Sequence, residues 1–578
     1  MLCIVNSSEL KLGVLETIME KNIYRWEILN KLETQKSKIK TDEIIKVLLK
    51  NRAIKTKKET EEFFNPTSPK KVTVKSLGID EEEVLETVRR IKKAISAKEE
   101  VIIYGDYDTD GVCATAILWE TLYSLTKKVK PYIPSRFEEG YGINPVSISK
   151  LKVQNPELKL IITVDNGVIA NEAVDKANEL GVDVIITDHH QKADKLPRAY
   201  SIIHTDKISG SGIAWILARE MVRSMPGAKV EKTENSLELA AIGTIADQLP
   251  LIGPNRCLAK YGLEALNRTK RVGLKALFEE ASIKFGNVGT YEVNYVIAPR
   301  INAMGRLEHA IDSLRLLCTT NSQKARDLAN YLGRTNVRRR KVVEDVMLHA
   351  REMADKKEWK GAIVLAHKSY HEGVIGLAAS KLVEEFYRPA IVISKGGKNS
   401  KASARSIHGF NIIENIRKLN SLIVGGGGHP MAAGFTIETS KIGEFAEKFE
   451  RISSPLLTPE VLTKKLKVDM EVGFENLNLE LMDAILKFEP SGVGNPTPAF
   501  MTFGVNVKDA RRVGTEEKHL KLTLEKEDKV FAAIAFGKGG VYSKLLTNKK
   551  VDVVFNLFTD TWNGSTSLQL KIKDLKVN

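Results

Sequence analysis

Four cysteines in 578 residues, Cys3, Cys113, Cys257 and Cys318, stand far apart and form no Cys-x-x-Cys pair. That excludes a disulfide-stapled scaffold and a thiolate zinc site, and it is the usage expected in a reducing compartment. Also missing are a basic N-terminal segment followed by a long apolar core and any apolar run long enough to span a bilayer. The expectation is a cytoplasmic, multidomain protein. Acid is in deficit, with 73 Asp plus Glu against 88 Lys plus Arg, a net charge of +15. Such a surplus favours a polyanionic partner, nucleic acid first, although charge alone fits a solvated basic surface equally well.

The acids that are present fall in telling places. Three short apolar runs end in acid or imidazole: Val101–Tyr104 before Gly105-Asp106-Tyr107-Asp108-Thr109-Asp110-Gly111, Leu160–Val164 before Asp165-Asn166-Gly167, and Val184–Thr187 before Asp188-His189-His190. Continuous β-branched runs separated by helical stretches read as buried parallel strands, and open α/β sheets place ligands beyond the carboxyl ends of their strands. The three clusters would therefore meet. Asp247, a lone acid in the apolar stretch Ala241–Pro250, is a fourth ligand source, because an unpaired carboxylate is costly to bury. Carboxylates packed together repel unless a cation balances them, and an oxygen-rich set with imidazole suits manganese or magnesium. Two such ions about 3.5–4 Å apart would support phosphoester hydrolysis. Taken singly, Asp110-Gly111 is equally a turn, and Asp188-His189-His190 a polar loop.

Along the chain, the expected fold class is α/β: a parallel-sheet catalytic lobe, a bridging helix, a second α/β lobe and a C-terminal β-barrel of the oligonucleotide-binding (OB) type. The boundaries are a helical N-terminal region with a linker at 1–72, the catalytic domain at 73–322, the connecting helix at 323–357, the second lobe at 358–453 and the barrel at 454–578. The basic, Pro-containing stretch Asn65–Lys71 reads as a linker and the one candidate for disorder. Strand and helix patterns alternate from about Thr73 to Ala310. Gly425-Gly426-Gly427-Gly428-His429 reads as a loop that could grip a phosphate or base. Beyond Ser454, short alternating strands fit a five-stranded barrel, a sandwich having the same periodicity.

Together these motifs resemble the DHH phosphoesterase superfamily and, within it, the RecJ family of bacterial single-strand-specific exonucleases. The likeness rests on Tyr104–Gly111, Arg136–Gly142, Asp165–Gly167, Asp188–His190, Gly243–Asp247, Pro299–Arg306, His371–Gly376, Gly426–His429, Gly494–Pro496 and Trp562–Gly564. It implies a DHH lobe, a DHH-associated lobe across a cleft and an OB domain, acting on the 5′ end of single-stranded DNA to release mononucleotides in recombination and repair. It further implies Mn2+ or Mg2+, two ions, held by Asp106, Asp108, Asp110, Asp165, His189 and Asp247. Asp110, His189 and His190 would be catalytic, with His190 near the scissile phosphate and Asp188 orienting its neighbours. Arg136, Arg300, Asn302 and Arg306, and on the other lobe Ser403, Arg405 and His429, would meet nucleic acid. The arginine fork suits bidentate phosphate contact, although Arg300 and Arg306 could instead pair with acids. A helicase and a single-strand-binding protein are the expected partners. Tyr104 stands where some members have histidine, Ile203-His204-Thr205-Asp206 replaces an Asn-Pro, and Pro490-Ser491-Gly492 replaces Pro-Phe-Gly.

Two other functions compete: a phosphodiesterase for short oligoribonucleotides or cyclic dinucleotides, against which the C-terminal barrel counts, and a non-catalytic scaffold for single strands, which would not need the acids.

Overall fold

The structure, a computed structural model, describes residues 24–30, 39–140, 142–225, 236–356, 358–562 and 565–578. Tyr141, Asn563, Gly564 and much of the N-terminal region therefore lie outside the described residues. The chain divides into two compact units: one of Thr56–Lys341 with Pro490–Pro496, the other of the described residues up to Lys55, Val342–Glu489 and Thr497–Asn578.

β1 (Arg25–Asn30) belongs to the second unit, taken up below. The first unit is built on β2 (Glu100–Tyr104), β3 (Val129–Tyr132), β4 (Leu158–Val164), β5 (Asp183–Asp188) and β6 (Ser201–His204). All pairings are parallel, in the order β3-β2-β4-β5-β6. Their apolar runs are continuous because both faces are covered: Ile103, Ile162 and Ile185 pack into one core, Ile102, Ile161 and Val184 into another. The order is doubly wound, and its direction reverses between β2 and β4, where a crevice opens beyond the strand ends.

The expected alternation to Ala310 stops at His204. From the helix Gly210–Ser224 to Cys318, the described residues hold helices and no further strand, among them Leu237–Ala246 and Ala298–Leu307. Apolar stretches such as Leu237–Ala246, buried on most sides, carry a strand-like density of hydrophobic residues without being strands. The stretch Asn65–Lys71, read as a linker, is docked. Lys260 and Tyr261 donate to the carbonyls of Phe64 and Pro66 (2.6 and 2.9 Å), and Arg219 donates to that of Pro69 (2.8 Å). These side chains satisfy main-chain acceptors of the stretch and of the residue before it.

In the second unit, β7 (Ile363–His367), β8 (Ala390–Ser394), β9 (Asn399–Arg405), β10 (Ile423–His429) and β11 (Ala432–Glu438) form a sheet in the order β10-β11-β9-β8-β7. The glycine run is thus an edge strand rather than a loop. Then follow β12 (Lys465–Glu471), β13 (Phe500–Val513), β14 (His519–Lys526), β15 (Lys529–Ala535), β16 (Lys550–Trp562) and β17 (Ser565–Val577). The ring β13-β14-β15-β17-β16 closes through β13–β16 pairing, a five-stranded barrel of the OB type. Outside the ring, β12 pairs with β13, and β1 pairs in parallel with β12. The N-terminal region, read as helical, holds the helices Thr41–Asn51 and Lys57–Phe64 and also supplies this strand. Trp26 anchors it by donating to Asp574 Oδ2 at 2.8 Å.

Candidate metal centre

The acidic loop after β2 is shaped by its own helix. Asp108 caps the helix Thr109–Leu125, its Oδ1 accepting from Gly111 N–H at 2.9 Å. Asp106 Oδ1 accepts from Tyr107 N–H at 2.7 Å. Gly111 makes this possible, since a Cβ there would lie 2.6–2.8 Å from Asp106 Cβ, Cα and N. Asp110, inside the first helical turn, reaches the start of the helix Gly210–Ser224: Gly210 N–H donates to its Oδ2 (2.8 Å) and Ser211 N–H to its Oδ1 (3.1 Å). Amides at a helix start favour an anion.

Asp165 directly follows β4 at φ 63°, a left-handed conformation rare for a residue with Cβ and typical of constrained sites. Its Oδ1 is buried, accepts no hydrogen bond, and lies 3.1 Å from His189 Nε2. His189 Nε2 is in turn 3.6 Å from Asp247 Oδ2, at the C-terminal end of the helix Leu237–Ala246. Asp188 is consumed by its own loop: Oδ1 accepts from the backbone N–H groups of His189 and His190 and pairs with His190 Nδ1 at 2.7 Å, while Oδ2 accepts from Val168 N–H. The His189 and His190 rings pack 4.5 Å apart, and His204 Nε2 donates to the His190 carbonyl.

Ligand atoms thus gather in three overlapping groups, each within 4.8 Å: Asp106 with Asp108 and Asp165, Asp110 with His189 and Asp247, and Asp165 with both histidines. Burial, reinforced by Asp108, pushes the Asp106 carboxyl well above its ordinary range. Burial and then Asp110 do the same to Asp165, and raise Asp247 to about 8. Burial lowers His189, leaving it a neutral nitrogen ligand. Burial also opposes a charge on His190, but the Asp188 hydrogen bond outweighs it and raises that imidazole to about 9. Crowded carboxylates, a buried carboxylate oxygen without a hydrogen bond and a neutral imidazole form a donor set that fits divalent cations of the manganese or magnesium type.

The residues expected to meet nucleic acid are placed differently. Arg136 lies over the Tyr107 ring, 4.9 Å from its centroid, and its charge, with that of Arg306, acts on Tyr107 beside the acidic loop. Arg300 is tied to Glu280 (2.6 Å) and to the Val296 carbonyl, the acid pairing that the sequence left open. Asn302 serves the acidic loop itself, its Oδ1 accepting from Thr109 N–H (2.8 Å) and Thr109 Oγ1 (3.0 Å). Asn302→Ala would strand the Thr109 N–H, the hydroxyl keeping the Ala298 carbonyl, and urea unfolding should show a loss of about 1–3 kcal/mol.

In the second unit, Ser403 and Arg405 share the exposed face of β9. The register Arg405↔Ala432↔His429 puts His429 on that same face. Arg405 Nη1 donates to Ser403 Oγ at 3.1 Å, and a Cβ on Gly376 would come within 3.0 Å of both side chains. Above Gly425 and Gly427 a Cβ would meet nothing within 4 Å, so the face is smooth, with Lys401, Ser403 and Arg405 beside it. Gly210, Ser211, Gly243 and Thr109 were missed as site residues. The run Ser209-Gly210-Ser211-Gly212 did carry a signal, a capping serine followed by glycines at a helix start.

The DHH family, N-terminal domain, matches residues 100–244, the DHHA1 domain 360–454, and the RecJ OB domain 468–574. Similarity to the single-stranded-DNA-specific exonuclease RecJ of Bacillus subtilis is 36% identity over 505 residues, covering 85% of this chain and 63% of that protein. The chain thus spans less than two thirds of that relative's length. For the Escherichia coli protein of the same name the identity is 30% over 506 residues, 82% of this chain and 87% of that one. The crystal structure of RecJ from Thermus thermophilus in complex with Mn2+ superposes with a TM-score of 0.79 at 27% identity, covering 96% of this chain and 79% of that one. Its complex with Mg2+ gives 0.73 at 26% identity, with 96% and 78% coverage.

Proposed function

Because the chain belongs to the RecJ family of DHH phosphoesterases, we propose that it is a metal-dependent 5′ to 3′ exonuclease that hydrolyses single-stranded DNA to mononucleotides. The observation that carries this reading is the convergence of Asp106, Asp108, Asp110, Asp165, His189 and Asp247 at the carboxyl edge of one parallel sheet, with Asp165 Oδ1 buried and accepting no hydrogen bond. These six side chains would hold two ions of Mn2+ or Mg2+, which when bound activate a water and stabilise the leaving oxygen. His190, held as a cation by Asp188, stands beside the ligands as a donor toward phosphoryl oxygens. The Asp188 hydrogen bonds and the amides of Gly210 and Ser211 keep the imidazoles and Asp110 in place before substrate arrives.

Polarity follows the family resemblance, and single-strand specificity follows the names of the relatives. Arg136 and Arg306 in the first unit, and Ser403, Arg405 and His429 on the glycine-rich face of the second, are the proposed phosphate contacts. Arg300 and Asn302 support the site through Glu280 and Thr109 instead. The closed barrel supports a long strand over a dinucleotide as substrate. The setting is cytoplasmic recombination and repair, with a helicase and a single-strand-binding protein as partners.

Incubation with Mn2+ and a 5′-labelled single strand should release labelled mononucleotide as the first product and leave a blunt duplex intact, with strand affinity falling as salt rises. Persistence of the full-length strand, or labelled fragments of intermediate length, would defeat the proposal.

A further inference from the structure

The segment before the Pro299–Arg306 motif is helical from Thr290 onward and passes through a π turn at Val293–Ile297. Such turns recur at functional sites. On it Tyr291 and Tyr295 pack side by side at a tilt, centroids 5.0 Å apart and planes at 36°. They are 62% and 69% exposed, so two large aromatic rings face solvent. Neither contributes to the core, and nothing assigned to the metal centre uses them.

Their position is tied to that centre within the same unit. Gln248, next to Asp247 and itself at φ 61°, donates from Nε2 to Asn294 Oδ1 at 2.7 Å, between the two tyrosines in sequence. Further along the helix, Asn302 Oδ1 accepts from Thr109, and a Cβ on Gly305 would lie 2.5 Å from the Tyr107 carbonyl oxygen. One continuous helical segment therefore lies against both Gln248, the neighbour of Asp247, and the acidic loop. About 10 Å of its axis separates the level of Asn302 from that of Tyr295. Arg136 and Arg306 act on Tyr107 in that loop, so positive charge stands at the acidic-loop end of the same helical segment.

We propose that Tyr291 and Tyr295 form a stacking platform for unpaired bases of the strand entering the metal centre. Rings without an aromatic roof offer a π face that any base accepts, and a paired base, already stacked within a duplex, cannot take it. The platform thereby adds a preference for single strands that is independent of the metal ligands. This inference rests on the exonuclease reading for its substrate.

The test compares the parent, a Tyr291→Leu/Tyr295→Leu variant and a Tyr291→Phe/Tyr295→Phe variant, all with unchanged melting temperature. Each is bound to single strands in Ca2+, with one abasic residue moved stepwise along the strand, and then assayed for cleavage in Mn2+. The leucine pair should weaken binding about 5- to 150-fold per stacked base and raise KM while kcat holds, and the phenylalanine pair should recover most of the loss. At one position or two neighbouring ones, the abasic residue should weaken the parent but not the leucine pair. Equal affinities for parent and leucine pair, or equal sensitivity to the abasic residue everywhere, would overturn the platform. A parent that binds strands with this pattern yet cleaves none would sink the exonuclease reading alone.

Discussion

Replacing Asp165 by asparagine should lower strand hydrolysis in Mn2+ by about 10³-fold or more, as expected when several kcal/mol of metal-borne stabilisation is lost. The metal-free protein should be at least as stable as the parent. Both effects have one cause. Asp165 Oδ1 is a buried carboxylate oxygen without a hydrogen bond, among Asp106, Asp108, Asp110 and Asp247, and its charge is tolerated only beside a cation. The sign of the pH dependence follows. Burial and the neighbouring charges hold the Asp165 and Asp247 carboxyls above the usual 3.8 in the folded protein, Asp247 at about 8. Between about pH 4 and pH 8 the metal-free fold thus retains protons that the unfolded chain has released, and stability falls as pH rises. The contribution is fully present below the ordinary carboxylate range and is lost as pH climbs through the raised values. Manganese binds the deprotonated ligands, so the rise in melting temperature that it produces should grow over the same window. Asp165→Asn should flatten the metal-free slope and shrink the manganese effect. Melting curves at several pH values, with Mn2+ and with chelator, read both, and identical slopes for parent and variant would refute the account of a site strained without its metal.

The second large effect is expected at a residue with no functional group. Gly243→Ala would put Cβ 2.1 Å from Asp110 Oδ1 and 2.2 Å from Ser211 Oγ. The carboxylate cannot retreat without giving up the amides of Gly210 and Ser211. Overpacking together with two weakened charge-assisted hydrogen bonds should cost about 3–5 kcal/mol. Metal affinity should fall with it, because Asp110 no longer meets His189 and Asp247. Gly397→Ala is the control: a Cβ there meets nothing within 4 Å, and the change should stay within about 0.5 kcal/mol. Urea unfolding and titration calorimetry with Mn2+ would show the contrast, and an alanine at 243 that binds metal like the parent would refute the packing argument.

The acids of the candidate metal centre at 106–110 and 165 are legible in the sequence because they follow β-branched runs, and parallel strands in a doubly wound sheet deliver their ends to one edge. The barrel is legible for a similar reason, since alternation such as Leu520, Leu522 and Leu524 records a curved sheet with one face inward. β1 is not. Arg25–Asn30 pairs with Lys465–Glu471, and nothing local in six residues foretells a partner so distant in the chain. The Asn65–Lys71 stretch looks like a linker because it holds only the short 3-10 turn Pro69–Lys71, and tyrosine and arginine side chains from elsewhere in the chain bind the carbonyls of Pro66 and Pro69. The glycine run looks like a loop because strand propensity depends on side chains, and here neighbouring strands hold it in place. Arg300 and Asn302 are recognisable as part of a motif, but whether a side chain faces a ligand or supports a neighbour is decided by tertiary partners, Glu280 and Thr109 here.

Anomalous diffraction at the manganese edge from crystals grown with Mn2+ tests the central claim most directly. Strong peaks are expected among Asp106, Asp108 and Asp165 and among Asp110, His189 and Asp247. A map with no peak in either group, and with these side chains turned away from one another, would contradict it.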